Sequence, residues 1–76
     1  MERMEKFNTE SKTKQIKEEI VDDILSGVFL PGESIPSQSD YAKKYGVSRL
    51  TVRKAIDDLV AKGILWTEQG KGTFVQ

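Results

Sequence analysis

At 76 residues with 12 basic and 12 acidic side chains, the chain is one small domain of zero formal net charge. Cysteine and histidine are both absent, which excludes a disulfide framework and a cysteine-based metal site and removes the usual general base and the commonest metal ligand. No apolar run approaches the ~20 residues of a membrane span, and residues 1–10 hold no hydrophobic signal-peptide core.

The composition therefore points to a soluble, cytoplasmic protein with no cofactor. A domain this small buries only about 60–65% of its unfolded surface and has little room for a deep substrate cleft. Residues 1–10 are polar, carry mixed charge and show no clear period, so a disordered N-terminal segment is expected there. From about residue 11 to 26, Ile16, Ile20 and Ile24 recur every four residues and are joined by Val21 and Leu25, one apolar helical stripe. Ser11 is the expected cap and Gly27 follows the last turn.

Residues 27–36 form a connection with a turn signal at Pro31-Gly32. Val28, Phe29, Leu30 and Ile35 are apolar enough to pack on the first helix, with a short strand near Ser34-Ile35. Ser37 followed by Asp40 reads as a capping box for a second helix that runs to Tyr45, where Gly46 suits the left-handed position ending it. Ser48 can cap a third helix whose apolar face is Val52, Ala55, Ile56, Leu59 and Val60, ended by Gly63. Residues 64–69 and 73–76 are rich in β-branched and aromatic side chains and read as two strands joined through Gly70-Lys71-Gly72. The fold class is α+β: three helices and a C-terminal β-hairpin, the outline of a winged helix-turn-helix over residues 11–76.

Two crossing helices of that motif need a small residue in the first, a glycine at the turn and a branched apolar residue in the second. Ala42, Gly46 and Val52 meet those needs at the expected spacing. A plain helical hairpin could do the same, so the charge pattern carries the argument further. Residues 41–56 include Lys43, Lys44, Arg49, Arg53 and Lys54 and no anion, whereas the acids gather at Glu18, Glu19, Asp22, Asp23, Asp57 and Asp58. A neutral total thus hides a one-sided field of the kind a polyanion senses.

Arg49 and Arg53 stand four apart and share a helix face, with Thr51 and Lys54 expected to flank them. Arginine can bond guanine O6 and N7, threonine can touch a thymine methyl, and the Ser48 hydroxyl with the amides beside it suits a phosphate. The Gly70-Lys71-Gly72 run is not a nucleotide-binding phosphate loop, because Leu65 and Gly72 stand where glycine and Ser or Thr are needed. It reads as a wing tip whose backbone approaches DNA, with Lys71 as its cation. The acids of the first helix lie near Lys14 and Lys17 and read as a solvated face, and Trp66 reads as structural, packed on the hairpin or against a neighbouring domain.

Residues 12–76 resemble the DNA-binding domain of the gluconate-repressor (GntR) family of bacterial transcription regulators. The resemblance rests on Leu-Pro-Gly-Glu-Ser-Ile-Pro-Ser (30–37), Tyr-Gly-Val-Ser-Arg-Leu-Thr-Val-Arg-Lys-Ala-Ile (45–56), Asp-Leu-Val-Ala-Lys-Gly-Ile-Leu (58–65) and Gln-Gly-Lys-Gly-Thr-Phe-Val (69–75). The second and fourth stretches are most similar to the branch named after the histidine-utilisation repressor (HutC). The resemblance implies an operator-binding winged helix that acts as a homodimer in the intact protein, with residues 49–62 in the major groove and the wing, residues 69–73, beside it. It places DNA-contacting roles on Arg49, Thr51, Arg53 and Gly70 and phosphate contacts around Ser37 and Ser48. Family members usually read Pro-Ser-Glu-Arg-Glu at the start of the second helix, and Ser39 stands here in place of that arginine. The family also places a ligand-sensing, dimerising domain after the wing. The chain stops at Gln76, so an isolated DNA-binding domain is expected, mainly monomeric, without the domain that binds a small-molecule effector.

Two functions follow. The first is sequence-specific binding of double-stranded operator DNA, with Ser37, Ser39, Ser48, Arg49, Thr51, Arg53, Lys54, Gly70 and Lys71 as the candidate contacts. The second is a winged helix that serves protein–protein assembly without DNA. An enzyme has no support, because no nucleophile–base pair or metal constellation is present.

Overall fold

The computed structural model describes the backbone from residue 3 and the side chains of residues 11–76. Three helices come first, α1 (Arg3–Leu25), α2 (Gln38–Tyr45) and α3 (Arg49–Ala61), followed by an antiparallel hairpin of β1 (Leu65–Glu68) and β2 (Gly72–Val75). The α+β winged helix-turn-helix expected from the sequence is the fold observed. One boundary differs. The helix is continuous from Arg3, so Ser11 lies inside α1 and does not cap it. No proline or glycine interrupts residues 1–26, and helix extension costs far less than starting a new helix. The expectation of disorder for residues 1–10 lies outside the residues described with side chains.

Ile16 and Ile20 of α1 are fully buried against Val52, Ala55, Ile56 and Leu59 of α3. Leu65 and Val75, paired across the hairpin, close the core from below together with Tyr41 and Ile35. Truncating one such isoleucine to alanine costs ~2–5 kcal/mol, a large share of the stability of a small domain. Ion pairs tie the helices at the rim. Lys17 Nζ lies 2.8 Å from Asp58 Oδ2, which Lys62 also approaches at 3.1 Å.

The connection between α1 and α2 departs from expectation in part. Phe29 and Ile35 turn inward, but Val28 and Leu30 remain 60% and 53% exposed. The chain reverses after α1, where the Val28 amide donates to the Asp23 carbonyl, and again at residues 31–32. It then runs extended beside β2. The Ile35 amide donates to the Thr73 carbonyl and the Val75 amide to the Glu33 carbonyl, both at 2.9 Å, and Ser34 bridges Phe74. This third, strand-like edge anchors the entry to α2 against the wing. On the hairpin, alternation sends Leu65, Thr73 and Val75 into the core, while Trp66 stacks on Phe74 on the other face with ring centroids 4.7 Å apart. Trp66 therefore packs on the hairpin.

Candidate nucleic-acid interface

The start of α2 is set by a reciprocal cap. Ser37 Oγ accepts the Asp40 amide at 3.1 Å, and Asp40 Oδ2 accepts the Ser37 amide at 3.2 Å. The turn to α3 needs a left-handed residue. Gly46 supplies it at φ 67°, and the Val47 amide folds back onto the Ala42 carbonyl. Ser48 then caps α3, its Oγ accepting the Thr51 amide at 3.1 Å. Both helices thus begin with a serine hydroxyl on the surface, followed by first-turn amides that have no intrahelical acceptor.

The edge along β2 brings these elements together. Ser37, Ser39, Arg49, Gly70, Lys71 and Gly72 line one groove of ≈ 380 Å³ between the α2 terminus, the first turn of α3 and the wing. Five of the nine candidate contacts therefore share one concavity. Ser48 stands at the N-terminal end of α3, while Arg53 and Lys54 lie exposed on its outer face.

Thr51 does not flank Arg49 and Arg53 on the exposed face, as the sequence leads one to expect. It is only 8% exposed, and its hydroxyl lies 3.1 Å from Ser48 Oγ. A helix turns about 100° per residue, which carries Thr51 past the rim of the exposed face and toward the core. The apolar side chain on the exposed face is Leu50, at 62% exposure. Leu50 precedes Arg53 by three residues and Lys54 by four and so shares their face. Leucine reads as core by residue type, which hides this position in the sequence. Helical phase could have found it, since Leu50 stands opposite the centre of the Val52–Ala55–Ile56–Leu59 stripe.

The cations divide into held and unheld. Arg53 Nε lies 3.7 Å from Asp57 Oδ2, and Lys71 Nζ lies 3.3 Å from Glu68 Oε2. Lys44 Nζ is bound to Glu19 at 2.6 Å, and the Tyr45 hydroxyl donates to the same carboxylate. Arg49, Lys43 and Lys54 have no ion-pair partner among the described residues. Burial works to raise the Glu19 carboxyl, but the hydrogen bonds from Lys44 and Tyr45 and the Lys44 charge prevail and hold it below the usual carboxylate value. Burial, the bond to Glu19 and the nearby negative charge push the Tyr45 phenol up to about 12. Among the described residues, no three acidic side chains converge on a point where a metal ion could sit, and no helix is long and apolar enough to cross a membrane.

The family described as "Bacterial regulatory proteins, gntR family" matches residues 12–75. Over 61 residues the chain is 51% identical to the "Probable fructoselysine utilization operon transcriptional repressor" of Escherichia coli (strain K12), covering 80% of this chain and 25% of that protein. It is 48% identical over 65 residues to the arabinose metabolism transcriptional repressor of Halalkalibacterium halodurans, covering 86% of this chain and 17% of the relative. The chain thus spans about a quarter or less of the length of these curated relatives. Among solved structures, the DNA-binding domain of AraR in complex with an operator superposes with a TM-score of 0.83 at 49% identity, over 86% of this chain and 78% of that one.

Proposed function

The chain belongs to the gntR family of bacterial regulatory proteins, and from that premise we propose that it binds double-stranded operator DNA in a sequence-specific manner as part of a transcriptional repressor. The observation that carries this reading is the exposed face of α3. Arg49, Leu50, Arg53 and Lys54 project from its first turns, with the α2 terminus and the wing tip flanking the same end. An α-helix fits the major groove, and recognition helices present base contacts from their N-terminal residues. Residues 49–62 enter that groove, with Arg49 and Arg53 reaching bases and Lys54 a phosphate. Ser37, Ser39 and Ser48, with the amides after them, meet the backbone on either side. Gly70 and Lys71 bring the wing to the adjacent strand. Thr51 acts indirectly, by orienting the Ser48 hydroxyl.

The relatives' names and the operator complex of AraR support repression through DNA, and the 45–56 and 69–75 stretches favour the HutC branch. The intact regulator is a cytoplasmic homodimer whose further domain takes a small-molecule effector. Selection of bound sequences from a random duplex pool tests the reading. A defined motif should emerge, and its affinity should fall with salt at a log–log slope of about −3 to −6 per domain, as expected for a handful of neutralised phosphates. No enrichment, or a flat salt response, overturns it in favour of assembly through protein surfaces.

A further inference from the structure

We propose that Leu50 reads the 5-methyl group of a thymine in the major groove, so that one operator position is specified by an apolar contact. The inference rests on the DNA-binding reading above and adds a specificity residue to it. Leu50 is 62% exposed, although its neighbours Thr51 and Val52 are buried. The core does not need it: Val52, Ala55, Ile56 and Leu59 fill the inner face of α3. It sits in the second helical position, and recognition helices contact base edges with their N-terminal residues. It is one residue from Arg49 and one helical turn from both Arg53 and Lys54. The charged groups around it are therefore those that would hold the helix in the groove, and they fix what an isobutyl group between them can meet.

The major-groove edge of DNA presents donors and acceptors at every base pair but only one apolar group, the thymine methyl. Placing Leu50 over a cytosine amino group or a guanine carbonyl would strip water from a polar atom without replacing its hydrogen bond. Placing it over a methyl group removes apolar surface from both partners. Thr51 could supply a methyl in principle, but it is turned inward and its hydroxyl is engaged with Ser48.

Deoxyuridine lacks the methyl and keeps every hydrogen-bonding group of thymidine, so it isolates the contact. Using a site enriched from the random pool, each thymine within the motif is replaced by deoxyuridine in turn. Binding of the parent chain, Leu50→Ala and Leu50→Met is then measured at fixed salt. One replacement should weaken the parent by about fourfold, the worth of one buried methyl. Leu50→Ala should lose that discrimination and Leu50→Met should keep most of it. Because the side chain is exposed, both variants should retain the helical circular dichroism of the parent. If no single thymine-to-uracil change affects the parent, or if Leu50→Ala discriminates as the parent does, this inference fails while DNA binding stands. If the parent selects no duplex at all, the DNA-binding reading fails and this inference fails with it.

Discussion

Arg53 Nε stands 3.7 Å from Asp57 Oδ2 one turn along α3, with both side chains 66% exposed. The arginine proposed to reach the DNA therefore carries an anion beside it. An exposed pair of this kind is weak, so it does little for the fold, but the carboxylate also faces any incoming phosphate. Removing the arginine and removing the acid should have opposite effects. Arg53→Ala should lower operator affinity by about ten- to a hundredfold, the loss of one bidentate base contact. Asp57→Asn should raise it by roughly two- to fivefold at low salt, with the larger gain on unselected duplex. In the Arg53→Ala background the gain should shrink, because there is no longer an arginine to release. A titration of the four proteins in one buffer measures this, and equal gains in both backgrounds would show that Asp57 acts only through the general field.

How much of this face was legible from the sequence depends on how local each signal is. The Ser37 and Ser48 caps and the Gly46 turn are set within four or five residues, and they stand where the sequence places them. The exposure of Leu50 and the burial of Thr51 follow helical phase, which residue type alone does not show. The pairings of Arg53 with Asp57 and Lys71 with Glu68 are also local, at four and three residues, yet side-chain rotamers decide them and no pattern marks them. The groove joining Ser37, Arg49 and Gly70 depends on the Ser34–Phe74 bridge, a contact across forty residues of chain. It was visible beforehand only as a short strand near residue 34.

The wing tip turns through two glycines with positive φ, Gly70 and Gly72. Gly70 has φ 82°, with open space around the position of an added Cβ. A side chain there meets no steric wall, but a β-branched residue is strongly disfavoured in that conformation. Gly70→Val should deform the tip and weaken operator binding, while helical circular dichroism stays close to that of the parent, because the added side chain points into open space. Undiminished affinity would remove the wing from the contact surface.

Glu19 links α1 to α2 by accepting from both Lys44 and Tyr45. Its carboxyl lies below the ordinary value of 4.5 in the folded chain. The ionised form is thus favoured by folding. The stability it contributes is complete above the unfolded value and is lost as pH falls through the folded one. Tyr45 acts at the other extreme. With its phenol raised from 10.0 to about 12, folding favours the neutral form, and that stability is lost as pH rises through this window. Thermal melts should therefore show Tm falling below pH 4.5 and again above pH 10. Glu19→Gln should lower Tm at pH 7 and flatten the acid limb. An acid limb of unchanged steepness in Glu19→Gln would assign the loss to other carboxylates.

Tyr41 is 2% exposed, and its hydroxyl has no hydrogen-bond partner among the described residues. Leaving such a group unsatisfied in the interior costs ~1–3 kcal/mol. Tyr41→Phe removes the oxygen and keeps the ring that packs in the core. The variant should unfold at an equal or higher denaturant concentration than the parent, which a urea titration reads directly. A clear loss of stability would show that the hydroxyl is bonded in solution, through a water or a side-chain movement.

Ile16, Ile20, Val52, Ile56 and Leu59 are consumed by one internal core, and Trp66 is covered on one face by Phe74. Among the residues described with side chains, what remains exposed and apolar, besides Leu50, is Leu25, Val28 and Leu30, at 80%, 60% and 53%. These three cluster around the turn after α1, a patch too short in sequence to supply the ~800 Å² per partner of a stable interface. The 76-residue chain should sediment as a monomer at micromolar concentration and occupy a single half-site. Linking two such modules, as in the proposed dimer, should tighten binding by ~10²–10⁴ through effective concentration alone. A concentration-dependent dimer of the free chain that dissociates on Leu25→Glu would instead show that the turn after α1 is itself an interface, and would place dimerisation within the DNA-binding domain.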